Sequence, residues 1–313
     1  MNRDFTQLTW SPQLEEDVRR LTRLAVFEDL DRGQDWTTIC LVTDEARAAA
    51  NVVARQAGVI AGLPAIGVML DEMDIAADYQ PKLSDGDSAS AGTLVATLAG
   101  SARDLLTSER TILNLLGRLS GIATLSRQFV QAIAGTKARL YDTRKTIPGW
   151  RRLEKYAVLC GGGHNHRTGL FDAILIKDNH LALGRSEQGA AAYTPAEAVR
   201  KARAFLAQQS AGEAPRGAPD AEMLVEIEVD SLDQLRAVLP EKPDLVLLDN
   251  MPPDVLREAV RIRDSGGYAS ELEASGGISL ATVRAVAETG VERISSGALT
   301  HSAICLDVAL DWQ

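Results

Sequence analysis

Forty residues, Tyr141 to His180, read YDTRKTIPGWRRLEKYAVLCGGGHNHRTGLFDAILIKDNH. They hold Arg144, Lys145, Arg151, Arg152, Lys155, His164, His166, Arg167, Lys177 and His180, with three consecutive glycines, Gly161 to Gly163, in their midst. The whole chain carries a net charge of -10, so this concentration of cations is local. Arg144-Lys145 and Lys177 each directly follow an apolar run of strand character, Leu140-Tyr141 and Ala173 to Ile176. That placement favours a site over a solvated surface. Guanidinium groups hold carboxylates bidentately, so a multiply charged organic anion is the expected guest.

Later strand ends carry a different chemistry. Glu228 and Asp249 offer carboxylates suited to a hydrated Mg²⁺ that carries phosphate oxygens. Ser275-Gly276-Gly277 and Ser296-Gly297 precede helical patterns and would present backbone N–H groups to a phosphate. Glu226 lies two residues before Glu228 on the same strand face, and the alternation alone does not choose between them. His164 and His166 are spaced for a metal, but no third soft ligand is near, so zinc is not expected.

The elements that position these groups fall into two textures. Residues 12–30 place Leu14, Val18, Leu21, Leu24 and Ala25 on one helical face, with Ser11 as the expected cap. EDLDRGQDWTT then reads as a polar turn segment, 46–61 as short strands, 65–73 as a short helix and TLVATLAG as a strand. From Ala102 to Ala134 the period is helical, with Gly117 and Ser120-Gly121 expected to mark a joint between two helices. Arg110 and Arg118 read from pattern alone as solvent-facing helix charges. After residue 135, strands at 139–143, 173–176, 224–229, 245–248, 271–274 and 293–295 alternate with helices at 194–209, 232–238, 253–264 and 280–288. Such alternation implies a parallel sheet, and the number of units suits a closed or nearly closed β/α barrel better than the alternative, an open doubly wound sheet. In that architecture the C-terminal strand ends share one rim, where active sites form. Residues 210–220, SAGEAPRGAPD, read as an exposed loop.

Bulk properties exclude several classes. A chain of 313 residues, 45% hydrophobic and 24% charged, has the profile of a soluble globular protein. Net acidity argues against nucleic acid or an anionic membrane as partner. Cys40, Cys160 and Cys305 form neither a disulfide framework nor a zinc motif. The N-terminus lacks an apolar signal core, and no run of about 18 apolar residues occurs, so a cytoplasmic location is expected.

Seven ordered motifs resemble the quinolinate phosphoribosyltransferase family of type II phosphoribosyltransferases: SERTILNLLGRLSGIAT (108–124), YDTRKTIPG (141–149), GGGHNHRTGLFDAILIKDNH (161–180), EIEVDSL (226–232), LLDNM (247–251), LEASGGI (272–278) and ISSGALTHS (294–302). The resemblance implies an α/β fold: an N-terminal α/β sandwich domain over 1–125, joined by the C-terminal segment 303–313, and an incomplete, about seven-stranded α/β barrel over 126–302. It implies transfer of the phosphoribosyl group of 5-phosphoribosyl pyrophosphate (PRPP) to quinolinate with loss of CO₂, and a Mg²⁺ requirement. It assigns a pyridine dicarboxylate pocket to Arg144, His166, Arg167 and Lys177, with Arg110 reaching in from a neighbouring subunit of a homodimer or higher even oligomer. Lys145 would face the pyrophosphate or carboxylate end; Lys145, Lys177, Glu228 and Asp249 would be the catalytic set. Glu228, chosen over Glu226 by its place in the motif, and Asp249 would hold Mg²⁺–PRPP, directly or through water. Ser275, Gly276, Gly277, Ser296, Gly297 and His301 would hold the 5′-phosphate. The segment from Gly184 to Asp220 exceeds the family's usual length. Two other readings share part of this pattern: a phosphoribosyltransferase-like protein associated with molybdate transport, and a non-enzymatic phosphate-binding barrel.

Overall fold

The structure, a computed structural model, describes residues 4–184, 192–210 and 222–313. Of the expected 184–220 insertion, residues 185–191 and 211–220 lie outside the described residues, and with them nearly all of the 210–220 loop; its described part is chiefly the helix Pro195–Ser210. Among the described residues the strands are β1 (Arg47–Ala54), β2 (Gly58–Val59), β3 (Asp78–Pro81), β4 (Ser88–Ala89), β5 (Leu94–Ser101), β6 (Arg139–Tyr141), β7 (Ile174–Ile176), β8 (Val225–Val229), β9 (Leu245–Asp249), β10 (Glu271–Ser275), β11 (Arg293–Ser295) and β12 (Val308–Trp312). The chain divides into two compact units: Met1–Gln7, Phe129–Arg144 and His164–Ala298 form one, and Leu8–Gln128, Lys145–Gly163 and Leu299–Gln313 the other.

The first unit is an incomplete barrel. Its parallel strands run in the order β6-β11-β10-β9-β8-β7. A single parallel bridge from Tyr141 to His164 adds a seventh pass of the chain beside β6. Among the described residues no pairing joins this pass to β7, so the wall stays open there.

Register decides which side chains enter the barrel. Glu273 pairs with Arg293 and Leu247, Glu228 with Leu247, and Ser295 with Tyr141. Side chains alternate along a strand, so Glu226 and Glu228, Glu271 and Glu273, Arg293, Arg139 and Tyr141 share one face. The opposite face is apolar and buried: Leu140, Val225, Ile227, Val229, Val246, Leu248, Leu272, Ala274 and Ile294.

The inner face is therefore rich in charge, and its lower level is paired. Arg293, with 0% exposure, binds the Glu271 carboxylate through Nε and Asp4 through Nη1 at 2.8 Å; its guanidinium lies 4.7 Å from the Tyr141 ring centre. Asp4 also accepts from the Tyr141 hydroxyl at 2.8 Å and from Arg139 at 3.0 Å. Phe5, Tyr141, Ala173, Leu224 and Leu245 form an apolar cluster around this knot.

The second unit is built on an antiparallel sheet, β12-β1-β5-β3, with the pair β2-β4 beside it. Val52 of β1 faces Ala96 of β5 and Leu310 of β12. The segment expected as a polar turn contains a helix, Trp36–Leu41; Asp35 caps it by accepting from the Thr38 N–H at 3.0 Å. Ser11 does precede the helix Pro12–Leu30, but its side chain makes no capping bond, and Pro12 opens the first turn instead.

The expected joint at Gly117 and Ser120-Gly121 is absent. One helix, Ala102–Ala132, runs through both positions. The glycines serve close approach: four residues apart, they share a face on which the segment Ile304–Leu306 lies. The Leu306 N–H donates to Gly117 O at 2.9 Å. A Cβ at Gly121 would stand 2.0 Å from Ile304 O, and one at Gly117 2.9 Å from Leu306 O. Among the described residues, no helix is long and apolar enough to cross a membrane.

Intrinsic helix propensity favours Ala over Gly by about 1 kcal/mol. The clash with the Ile304 backbone reverses that sign, and overpacking of this kind costs about 1–3 kcal/mol. Gly121→Ala is therefore expected to lower the urea midpoint of unfolding; an unchanged or raised midpoint would refute the close-approach account.

Candidate active site

At the C-terminal strand ends the inner face meets the rim. Lys177, directly after β7, contacts the Glu228 carboxylate on β8 through Nζ. Asp249 ends β9 two residues beyond Leu247, the register partner of Glu228, so both carboxylates face inward. Asp249 accepts from the Asn250 side-chain amide at 2.8 Å. Ser275 is in register with Asp249, and its hydroxyl lies 3.0 Å from that of Ser295.

The first glycine turn is conformationally required. Gly276 has φ +91° and Gly277 φ +60°. A Cβ at Gly276 would meet Asn250 Oδ1 at 2.3 Å and its backbone nitrogen at 2.9 Å. Asn250 itself takes φ +54°, and its N–H donates to Ser275 O at 2.9 Å. The following helix is shorter than expected, Val283–Ala287, so the N–H groups at the turn belong to the loop and not to a helix end. Ser296 donates its N–H to Tyr141 O at 3.0 Å and its hydroxyl to Ile278 O at 2.8 Å, tying the end of β11 to that turn. Gly297 follows directly, before the short helix Ala298–His301.

The cation-bearing side is organised by buried Asp142. It accepts from Asn165 Nδ2 at 2.8 Å and from the His166 N–H at 2.9 Å, folding residues 164–167 against the end of β6. The Arg167 N–H donates to His166 Nδ1 at 2.8 Å, and its guanidinium donates to Ala173 O at 3.0 Å. Burial and the nearby Arg144 guanidinium both hold the Arg167 pKa below its usual value. Arg144, Arg167 and Lys177 thus come together in one unit with Glu228, Asp249, Ser275, Gly276, Gly277, Ser296 and Gly297. Lys145, Arg110 and His301 belong to the other unit. There the Lys145 carbonyl accepts from the Thr300 hydroxyl at 2.8 Å, Arg110 is exposed on the helix Ala102–Ala132, and exposed His301 lies 2.7 Å from the Ser302 hydroxyl through Nδ1.

Beneath the rim lies a cluster that pattern reading left open. His166 Nε2 stands 3.1 Å from Glu226 and 3.5 Å from Glu273, both with 0% exposure. Their ligand atoms lie within 4.8 Å of one another, a span that could suit a metal. The hydrogen bonding argues otherwise. His166 Nδ1 spends its lone pair on the Arg167 N–H, so a proton on the ring sits on Nε2, facing the carboxylates. Burial pushes the Glu273 carboxyl up to about 7 against the attraction of His166, with the Glu226 charge adding to the rise.

Arg118 is not the solvent-facing charge that helical pattern suggests. It binds Glu154, which has 0% exposure, at 3.1 Å through Nε and 2.6 Å through Nη2. It also donates to the carbonyls of Thr300 and Ala303, while Glu154 accepts from the Ile147 N–H at 3.2 Å. No local period signals such a brace, because its partners lie 36 and 182 residues away in sequence.

An incomplete α/β barrel with cations and carboxylates on one rim defines a class of enzymes that handle anionic substrates. Residues 35–120 match the quinolinate phosphoribosyl transferase N-terminal domain, and residues 122–311 the C-terminal domain. The chain belongs to the quinolinate phosphoribosyltransferase family. It is 44% identical over 296 residues to the nicotinate-nucleotide pyrophosphorylase [carboxylating] of Mycobacterium leprae, covering 94% of this chain and 96% of that one. It is 38% identical to the probable enzyme of that name from Bacillus subtilis, covering 94% and 93%. The solved nicotinate-nucleotide pyrophosphorylase of Francisella tularensis superposes with a TM-score of 0.85 at 36% identity, covering 99% of this chain and all of that one.

The raised Glu273 pKa has a consequence for stability. The folded protein holds this proton up to about pH 7, whereas an ordinary glutamate releases it near 4.5. Between those values the folded state binds more protons than the unfolded one, so stability falls as pH rises, by at most about 1.4 kcal/mol per unit for one proton. Denaturation at pH 5 and pH 7.5 is expected to show this decline in the native protein and a flatter profile in Glu273→Gln. Parallel profiles would show that Glu273 does not carry it.

Proposed function

We propose that this protein transfers the 5-phosphoribosyl group of PRPP to quinolinate, releasing pyrophosphate and CO₂ and forming nicotinate mononucleotide, a step of NAD biosynthesis. The observation that carries this reading is the meeting of Arg144, Arg167 and Lys177 with Glu228 and Asp249 in one barrel unit. Cations hold the pyridine dicarboxylate, and carboxylates face the sugar.

Displacing pyrophosphate from ribose C1 builds positive charge on the ring and negative charge on the leaving group. Inward-facing Glu228 and Asp249 stabilise the first. Once the pyridine nitrogen is quaternary it becomes the electron sink for CO₂ loss, so no covalent nucleophile is needed. Glu228 and Asp249 also fit Mg²⁺, since the ion keeps several waters and needs only one or two carboxylates; it would neutralise pyrophosphate oxygens. On family resemblance, Lys145 serves the pyrophosphate or carboxylate end, His166 the dicarboxylate, His301 the 5′-phosphate with the two glycine turns, and Arg110 the site of a neighbouring subunit. The three free cysteines, Cys40, Cys160 and Cys305, suit a reducing cytoplasm.

Incubation with quinolinate, PRPP and Mg²⁺ is expected to yield nicotinate mononucleotide and CO₂. Nicotinate, a monoanion, is expected to react far more slowly; comparable turnover would sink the dicarboxylate pocket, and absence of product from folded protein the whole reading. Arg110→Ala and Lys177→Ala are each expected to be inactive, yet to regain some activity when mixed, because whole sites can form across an interface. No recovery despite demonstrated subunit exchange would exclude a shared site.

A further inference from the structure

Residues Asp4 to Gln7 lie far in sequence from every motif of the site, yet they reach its cation-bearing loop. The Phe5 ring, 5% exposed, stacks on the His166 imidazole with centroids 4.2 Å apart and planes 30° apart. Gln7 grips the preceding residue from both sides: its Oε1 accepts from the Asn165 N–H at 2.8 Å, and its Nε2 donates to Asn165 O at 3.1 Å. The same Nε2 donates to Phe5 O at 2.9 Å, so the two grips are linked.

His166 is thus held on one ring face and at both nitrogens. Phe5 covers one ring face, the Arg167 N–H occupies Nδ1, and Glu226 and Glu273 face Nε2. Asn165 is pinned between Gln7 and Asp142. Arg167 follows directly, with its own N–H committed to His166. A guanidinium binds a carboxylate well only when its fork is aimed in advance, and a small misplacement of such a group is costly.

We infer that Phe5 and Gln7 are positioning residues for the dicarboxylate pocket, acting through His166 and Asn165 to set the backbone from which Arg167 projects. The inference rests on the reading that this pocket takes quinolinate. Neither residue touches the substrate. Their influence falls on the pyridine side and leaves the ribose side, carried by Glu228, Asp249 and the glycine turns, unchanged.

The test uses the full chain. Phe5→Leu keeps an apolar side chain and removes the flat face under the imidazole. Gln7→Ala removes both bonds to Asn165, and Gln7→Glu keeps only the acceptor. Phe5→Leu and Gln7→Ala are expected to raise KM for quinolinate by roughly tenfold, the worth of about one hydrogen bond. KM for PRPP and kcat are expected to stay within about twofold on the same scale, with Gln7→Glu intermediate. Calorimetric titration with quinolinate should show the same weakening. An unchanged quinolinate KM in both variants overturns the inference, as does a parallel rise in both KM values accompanying lost thermal stability, which marks a merely structural role. If the unaltered protein fails to bind quinolinate, the functional reading falls and the inference with it; if it binds and the variants bind equally, the inference alone falls.

Discussion

Charge inside a barrel must be matched, and this requirement organises the molecule. Most β/α barrels fill their interior with branched apolar side chains. Here the inner face carries Arg293, Glu271, Glu273 and Glu226, and water is largely excluded from them. An unpaired buried charge costs several kcal/mol, and breaking a buried pair about 3–5. Strand register is therefore tightly specified. A one-residue slip of β10 would carry Glu271 and Glu273 out to the apolar face and leave Arg293 without its carboxylate.

The two ionic levels divide their labour. The lower one, Arg293 with Glu271, Asp4 and Tyr141, ties the N-terminal segment to the strands and closes the base. The upper one, His166 with Glu226 and Glu273, supports the loop that bears Arg167. Above both, Lys177, Glu228 and Asp249 meet the rim. The same strands thus carry buried ion pairs low down and the candidate site at their C-terminal ends, where Asn250, Gly276 and Gly277 take left-handed backbone.

The second unit shows a different economy of contact. Its long helix uses Gly117 and Gly121 as a groove for the segment that leads into β12, and Arg118 from the same helix reaches the carbonyls of Thr300 and Ala303. One helix thus anchors both the C-terminal strand and the end of the short helix that bears His301. Removing a side chain at the glycines was the condition for bringing two backbones this close.

Much of this was legible in the sequence, for a local reason. Apolar runs alternating with helical patterns imply a parallel sheet, so the six strands, their rim and the charges of Arg144, Lys177 and Asp249 could be read directly. The ordered motifs added the family. What the sequence could not decide were contacts whose partners lie far along the chain. Gly117 and Gly121 look like a helix break until Ile304 and Leu306 are laid against them. Arg118 looks solvated until Glu154 and Thr300 arrive. Glu226 and Glu228 are equivalent by alternation; only the depth of each along the barrel gives one to His166 and the other to Lys177. Nothing local ties Phe5 or Gln7 to residues 165 and 166, some 160 positions away. Periodicity reports which face a residue takes, but only tertiary register reports what it meets there.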